Sequence, residues 1–199
     1  MNFKKILEKN YVQTSVPCRV DLGGTLDIST FYLPLHHLSP ASFNIALDLR
    51  TKVSLLPWEK GYIKVSSRGF ESAVFKNDEA PFNHPMGLMF AIAKYFDSHG
   101  VYIKIESSSP PRSALGGSSS AAVALISAFY KALDKKVNPE QIAWLAHYIE
   151  SSVAGVPCGM QDQLAAAFGG INQWIWKMGD RHPEFERVPI FENEADIEA

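Results

Sequence analysis

Cysteine is scarce in this sequence of 199 residues, which contains only Cys18 and Cys158. Two cysteines are too few for a disulfide framework, and no secretory signal peptide is recognisable before them, so a reducing cytoplasm is the expected location. No apolar run reaches the roughly 18–20 residues that a membrane-spanning helix requires, which predicts a protein without a membrane span.

Net charge is also small, because 19 Lys and Arg residues stand against 21 Asp and Glu residues, a formal balance of −2. Such a balance provides no positive field for nucleic acid, so no nucleic-acid partner is expected. Any anionic substrate would have to be bound by local groups. The hydrophobic fraction of 46% and the charged fraction of 20% are ordinary for a globular protein.

Apolar periodicity predicts strands early in the chain and helices later. Alternating or short apolar segments predict strands at 11–16, 43–49, 52–55, 62–65, 73–75, 101–106, 171–176 and 188–191. Helical spacing and capping residues predict helices at 85–96, 121–133, 139–152 and 160–168. The expected fold class is α+β, with an antiparallel sheet and helices packed on one side. Pro17 is expected to end the first strand.

A loop rich in glycine and serine, residues 110–122, stands between the strand at 101–106 and an apolar helix. The first N–H groups of a helix lack partners within it and the helix dipole is positive there, so this loop could hold a phosphate group. The same composition is typical of a flexible linker, and the loop alone leaves both interpretations open. It is not a Walker loop or a dinucleotide-binding fingerprint, because the lysine and the glycine spacing are missing.

A phosphate loop without its own lysine requires a cation such as Mg²⁺, and phosphoryl transfer also requires an acceptor for the substrate proton. Two acids suit these roles, Glu150 near the end of one helix and Asp162 in the first turn of another. Arg19 and Asp27 lie close to an upstream glycine turn. Each of the four also has an ordinary alternative role. Glu150 could be a solvated acid at a helix end, and Asp162 could simply stabilise a helix amino terminus. Arg19 could be a surface charge at a strand edge, and Asp27 an Asx-turn residue.

The upstream segment Pro17–Asp27 reads Pro-Cys-Arg-Val-Asp-Leu-Gly-Gly-Thr-Leu-Asp. It resembles the amino-terminal substrate motif of the GHMP kinases, which is P-x-R-[VI]-x-[LF]-x-G-G-T-D in their sugar-phosphate branch. In sugar kinases of this family the closing aspartate binds sugar hydroxyls and the arginine lies near the reacting hydroxyl. The resemblance implies these roles for Asp27 and Arg19. Leu26 is an extra residue ahead of Asp27 and departs from the motif.

Two later segments resemble the same family in the same order. Residues 111–122 are similar to its phosphate loop, P-x-x-x-G-L-G-S-S-A-A, in the Gly-Gly-Ser-Ser-Ser form of heptose kinases, and Ser118 falls at the serine that meets Mg²⁺. Residues 155–163 are similar to the galactokinase stretch G-x-P-C-G-x-x-D-Q, whose aspartate is the catalytic base. Glu150 stands at the spacing of the family's Mg²⁺-binding glutamate.

The resemblance implies that residues 1–199 form an amino-terminal domain similar to ribosomal protein S5 domain 2. It implies a transferase that moves the γ-phosphoryl group of ATP to a hydroxyl of a hexose, a heptose or a phosphate of one, with ATP and Mg²⁺ as cofactors. Asp162 and Arg19 are the implied catalytic residues, and Ser118 and Glu150 the implied Mg²⁺ ligands. The implied ATP-binding residues are Pro111, Leu115, Gly116, Gly117, Ser118, Ser119 and Ser120. The implied substrate-binding residues are Asp21, Gly23, Gly24, Thr25 and Asp27.

GHMP kinases also carry a carboxy-terminal α/β domain that closes the active site, and these 199 residues show no counterpart of it. Besides a sugar or sugar-phosphate substrate, the expected partner is a complementary carboxy-terminal half or a second copy of the chain. Two alternatives stay open. One is a catalytically incomplete nucleotide- or sugar-binding domain or regulator. The other is a mevalonate-branch kinase, which the galactokinase-like 157–159 and 162–163 disfavour.

Overall fold

The computed structural model describes residues 1–110, 113–180 and 183–191, which form one mixed sheet with helices on one side. The strands are β1 (Val12–Leu22), β2 (Ala41–Pro57), β3 (Tyr62–Ser67), β4 (Ala73–Lys76), β5 (Val101–Ser107), β6 (Ile171–Met178) and β7 (Pro183–Phe191). The helices are α1 (Lys4–Leu7), α2 (Ser29–Tyr32), α3 (Gly87–Tyr95), α4 (Gly117–Ala132), α5 (Pro139–Ala154) and α6 (Gln161–Phe168). A 3₁₀ helix, Leu33–Leu38, follows α2. The predicted α+β fold is therefore confirmed.

The sheet runs in the order β4-β3-β5-β2-β6-β7, and β1 pairs with β2 beside this path. The long strand β2 organises it, since its first half pairs with β6 and its second half with β5. The sequence left open whether 52–55 continues the strand at 43–49, and the two segments form one strand. The neighbours β3 and β5 are parallel because α3 lies in the crossover between them, while the other described pairs are antiparallel.

The prediction that Pro17 ends the first strand is wrong, because β1 continues to Leu22. The pairing of β1 with β2 shifts register between Pro17 and Cys18, so the strand forms a β-bulge at the proline and continues beyond it. Among the described strands β1 pairs with β2 alone, so one side of β1 needs no ladder hydrogen bond from the proline nitrogen. The continuation matters for the site, since it includes Arg19, which donates hydrogen bonds to the loop that precedes α4.

Helix α4 lies on the sheet and forms the centre of the core. Val123, Leu125, Ile126 and Phe129 are almost fully buried, and each such side chain contributes about 1.5–3 kcal/mol by leaving water. The helix begins at Gly117, four residues before the predicted start, so the serines belong to its first turn. This packing holds the amino terminus of α4 close to β1.

Helices α5 and α6 complete the layer. The predicted cap of α5 is confirmed, since the Asn138 side chain accepts from the Gln141 N–H and the Gln141 side chain accepts from the Asn138 N–H. A second cluster holds α6 near β6, and its buried members are Tyr32, Ala143, Met160, Leu164, Trp174 and Trp176. Among the described helices none is both long and apolar enough to cross a membrane.

Candidate active site

The amino terminus of α4 forms one side of the candidate site. Gly116 precedes the helix with a φ of 70°, a left-handed conformation that glycine adopts without strain. Ser118 is exposed, whereas Ser119 and Ser120 are buried. The Ser120 hydroxyl contacts Thr51 Oγ1 at 2.9 Å and the Gly117 carbonyl at 3.1 Å. The first turn therefore presents Ser118 outward and uses Ser120 to attach the helix to β2.

Arg19 links three segments of the site. Its Nε and Nη2 atoms lie 2.8 and 2.6 Å from Asp162 Oδ1, and Nη2 also lies 2.7 Å from Asp21 Oδ2. Its Nη1 donates to the Ala114 carbonyl at 2.7 Å, and its backbone N–H donates to the Leu115 carbonyl at 3.2 Å. One arginine therefore holds a carboxylate of α6, a carboxylate of β1 and the loop before α4 together. Pro111 lies outside the described residues.

Asp21 lies in a position where a negative charge is unfavourable, because it is partly buried and close to the carboxyl groups of Asp162 and Asp27. Its side chain is 13% exposed, and its Oδ1 atom has no hydrogen-bond partner among the described residues. Burial raises the pKa of this carboxyl to about 6, although Arg19 opposes the change, and the nearby Asp162 and Asp27 raise it further. Asp21 therefore accepts a proton at a higher pH in the folded protein than in the unfolded chain.

Replacing Asp21 with asparagine is expected to stabilise the protein near neutral pH by about 1 kcal/mol, after allowance for solvent screening. The folded pKa is above the unfolded value of 3.8, so ionisation of Asp21 costs stability as pH rises from about 4 through 6. Asparagine keeps a side-chain oxygen that can accept a hydrogen bond from Arg19, and it has no ionisable group whose charge would be buried. Urea denaturation at about pH 7.5 and about pH 4.5 should show the gain at the higher pH alone. An equal gain at both pH values would contradict this assignment, and the exposed Asp48→Asn provides the control.

Glu150 lies at the inner end of the same site. Its Oε2 atom accepts from Ser119 Oγ at 2.9 Å and from Gln163 Nε2 at 2.7 Å. Burial raises the pKa of this carboxyl, and the hydrogen bonds from Ser119, Gln163 and Ser118 partly oppose the rise. Gln163 was not predicted as a site residue, although it stands beside Asp162 in the matched motif.

The residues present are compatible with Mg²⁺. Among the described residues no group of three or more His, Cys, Asp or Glu side chains forms a metal cage. Mg²⁺ does not need such a cage, because it usually retains water and phosphate oxygens and takes one or two protein oxygens. Ser118 and Glu150 interact with each other and provide two oxygen donors at the first turn of α4. This donor set fits the ion.

The predicted substrate segment forms a turn over the start of α6. Gly23, Gly24 and Thr25 are exposed, whereas Asp27 is only 8% exposed. Asp27 Oδ2 accepts from the Gln161 N–H at 3.1 Å. Burial raises the pKa of the Asp27 carboxyl, and this hydrogen bond opposes the rise. The structure thus brings Asp21, Arg19 and Asp162 into direct contact and directs the Asp27 side chain toward α6.

A cavity of about 330 Å³ lies beside the loop, and no sequence pattern predicted it. Its apolar lining includes Met86, Leu88, Met89, Ile105 and Leu115. Ser109, Ser113, Gly117 and Ser118 provide polar groups at the end next to α4. The helical spacing of 85–96 predicted only a buried helix, and no local signal showed that this helix also borders a cavity.

The chain is similar in sequence to known kinases. Residues 83–170 match the family model of the GHMP kinases N terminal domain. The chain is 30% identical to D-glycero-alpha-D-manno-heptose 7-phosphate kinase of Campylobacter jejuni, over 81% of this chain and 49% of that protein. It is also 30% identical to mevalonate kinase of Pyrococcus abyssi, over 74% of this chain and 47% of that protein. The chain spans about half the length of the curated relatives it matches.

The fold is shared with solved structures of the same kind. A D-glycero-D-manno-heptose 1-phosphate kinase from Bacteriodes thetaiotaomicron superposes with a TM-score of 0.73 at 21% identity, over 90% of this chain and 60% of that one. The mevalonate kinase of Methanococcus jannaschii superposes with a TM-score of 0.69 at 17% identity, over 94% of this chain and 58% of that one. Sugar-phosphate and mevalonate kinases both stand among the similar proteins, so relatedness alone does not choose the substrate.

Proposed function

We propose that this chain, which belongs to the GHMP kinases, forms the ATP-binding and catalytic part of a kinase that phosphorylates a hydroxyl of a sugar or sugar phosphate. The observation that carries the proposal is the contact of Arg19 with both Asp162 and the loop before α4. It places a carboxylate next to a helix amino terminus, where phosphate groups bind favourably. The proposed proton acceptor and the proposed phosphate site would thus be adjacent.

The nucleotide is proposed to bind across the loop and the neighbouring cavity. The apolar end of the cavity suits the adenine ring, because nucleotide pockets combine apolar walls with a few polar groups. The phosphates would then meet the loop residues Leu115 and Gly116 and the first N–H groups of α4, at Gly117, Ser118 and Ser119. Ser120 would act indirectly, since its N–H donates to the Gly116 carbonyl at 2.9 Å. Ser118 and Glu150 would hold Mg²⁺, which neutralises charge on the phosphates when it is bound.

Asp162 is proposed to take the proton of the acceptor hydroxyl. Its Oδ1 atom is held by Arg19, while Oδ2 lies on the side of the loop, 3.5 Å from where a Cβ on Gly116 would stand. The acceptor oxygen would form a bond to the γ-phosphorus, and the bond from that phosphorus to the bridging oxygen of ADP would break. The proton would pass to Asp162. Arg19 would stabilise the charge that develops, so catalysis would rest on positioning and electrostatics.

The acceptor is proposed to lie under the turn of Gly23, Gly24 and Thr25, next to Asp162. Three carboxyl groups crowd this side, from Asp21, Asp27 and Asp162, and the Arg19 guanidinium beside them is already paired. A neutral, hydroxyl-rich part of a substrate fits these surroundings better than a carboxylate. A sugar is therefore the leading acceptor, and any phosphate it carries would lie away from the three acids. Mevalonate is the second candidate because mevalonate kinases are among the relatives.

The remaining partners are also proposals. The exposed apolar residues Val20 and Leu22 on β1 offer a surface for a complementary carboxy-terminal half or a second copy of the chain. A cytoplasmic location would supply the ATP.

The test is a phosphoryl-transfer assay with Mg²⁺-ATP and three acceptors, D-glycero-α-D-manno-heptose 7-phosphate, galactose and mevalonate. ADP release that depends on one of the sugars would support the proposal, and release with mevalonate alone would favour the second candidate. Thermal stabilisation by ATP without any transfer would instead favour a nucleotide-binding domain without turnover. No transfer and no stabilisation would contradict the proposal.

Replacing Glu150 with glutamine is expected to raise the Mg²⁺ concentration required for ATP binding at least about tenfold, because a carboxylate is a stronger Mg²⁺ ligand than an amide. The amide oxygen can still accept from Ser119 and Gln163, so the fold should be kept. A Mg²⁺ titration of the ATP-dependent thermal shift measures the change. Glu140→Gln, at the exposed start of α5, is the matched control, and equal Mg²⁺ requirements in both variants would contradict a metal role for Glu150.

A further inference from the structure

The start of α6 is stabilised by a carboxylate from a distant part of the chain. Met160, the residue before the helix, makes no side-chain cap bond within the described structure. Asp27 provides this cap from the turn after β1, because its Oδ2 atom accepts from the Gln161 N–H and its carboxylate also receives the Met160 N–H. A carboxylate at this position meets orphan N–H groups and the positive end of the helix dipole.

Two further contacts hold the same turn on α6. The Gln161 side chain donates through Nε2 to the Gly24 carbonyl at 3.1 Å. Gly159 allows the close approach of the carboxylate, because a Cβ atom at this position would stand 1.7 Å from Asp27 Oδ2. Asp27 is therefore seated in a space that exists only because residue 159 is glycine.

The direction of the Asp27 side chain differs from the use that its motif implies. The side chain is 8% exposed and its Oδ2 atom accepts from the backbone of α6, whereas Gly23, Gly24 and Thr25 of the turn are exposed. The two glycines follow Leu22 directly and Leu26 stands between Thr25 and Asp27, so the glycine turn is one position earlier relative to Asp27 than in the motif.

We propose that Asp27 is a positioning residue, which caps α6 and thereby holds Asp162 against Arg19, and does not bind the substrate. Asp162 follows Gln161 directly, so any shift at the start of α6 moves the carboxylate that Arg19 holds. This inference rests on the proposed function only in taking Asp162 as the proton acceptor. A displacement of about 1 Å in such a group can cost about a hundredfold in rate.

The first experiment needs no substrate. Native-state amide hydrogen exchange at Gln161 is expected to accelerate at least about tenfold in Asp27→Ala, because the N–H loses its acceptor. Asp27→Asn keeps an acceptor oxygen and should stay within about threefold of the wild type. Gly159→Ala should reproduce Asp27→Ala, since the new Cβ displaces the carboxylate, and the two changes should not add in the double variant. An unchanged exchange rate at Gln161 in Asp27→Ala would overturn the proposal, and the exposed Asp48→Ala is the control.

A second measurement separates positioning from plain stabilisation of the helix. The Arg19 Nε–H resonance reports the bond to Asp162, and it should shift in Asp27→Ala and return in Asp27→Asn. With Mg²⁺-ATP and D-glycero-α-D-manno-heptose 7-phosphate, Asp27→Ala should lower kcat about 10–100-fold with KM for the heptose within about threefold. A large rise in KM with kcat unchanged would show that Asp27 binds the substrate and would overturn the proposal. A wild type that is inactive on the heptose, galactose and mevalonate would overturn the kinase function instead, and the exchange rates and the Arg19 resonance would still decide the role of Asp27.

Discussion

Replacing Asp162 with asparagine is expected to lower phosphoryl transfer by about 10²–10⁴-fold, which is the usual contribution of a positioned general base. The amide oxygen of asparagine can still accept from Arg19, so the link between α6, β1 and the loop before α4 should persist. The second carboxylate oxygen is replaced by an NH₂ group, which cannot take a proton from the substrate hydroxyl. ATP affinity and the melting temperature should therefore change little, while ADP release should almost cease.

The comparison that decides this prediction uses ADP release and the ATP-dependent thermal shift on the same preparations. Asp48→Asn removes a carboxylate from an exposed position on β2 and should retain both properties. If Asp162→Asn kept more than about a tenth of the wild-type rate, the assignment of the base would fail. If it lost ATP stabilisation as well, Asp162 would contribute to nucleotide binding or to the fold, and the loss of rate would have another cause.

The parts of the site that sequence alone predicted are local ones. The strand, the glycine loop and the helix after it follow from neighbouring residues, because turn glycines and exposed helix N–H groups act over a few positions, although the helix begins four residues before the predicted start. The cap at Asn138 follows from residues 138–141 for the same reason and is confirmed. The α+β layer could be predicted because strand and helix periodicities are distinct along the chain.

The remaining features depend on residues that are far apart in sequence. The sharing of Arg19 by Asp21 and Asp162 requires β1 and α6 to meet across 143 positions, and no local pattern encodes this contact. The inward direction of Asp27 depends on the absence of a side chain at Gly159. Pro17 was expected to break β1, because sequence does not show that the strand is paired on one side only. The cavity beside the loop could not be predicted either, because its lining residues come from segments that are distant in sequence and meet only in the fold.

Arg19→Met is expected to have the second large effect, since it removes the cation that both carboxylates share. The side chain of Arg19 is 13% exposed, and breaking such a pair from one side costs about 3 kcal/mol, because the partners remain poorly solvated. The loop also loses the bond to the Ala114 carbonyl. We expect phosphoryl transfer to fall at least about a thousandfold, since Asp162 loses its orientation and the developing charge loses its nearest cation. Urea denaturation and ADP release measure the two effects.

Arg19→Lys separates charge from geometry. Lysine keeps the positive charge but lacks the planar guanidinium group with its several N–H donors. It therefore cannot contact Asp162, Asp21 and the Ala114 carbonyl at the same time. Its stability should lie between those of the wild type and Arg19→Met, while its rate should remain at least about tenfold below the wild type. A rate equal to the wild type would show that charge alone is sufficient, and the proposed role of the shared contacts would be wrong.

The pH dependence of Arg19→Met provides the sharpest test, because Arg19 lowers the pKa of Asp21 against the effect of burial. Without the arginine this pKa should rise above its present value of about 6. A carboxyl group whose pKa is raised by folding destabilises the protein as pH increases, so the stability deficit of Arg19→Met should be smaller at about pH 4.5 than at pH 6 and above. Asp21→Asn in the Arg19→Met background should recover part of the stability at neutral pH and none of the rate. A deficit that stayed constant with pH would show that Asp21 is not the group left uncompensated when Arg19 is removed.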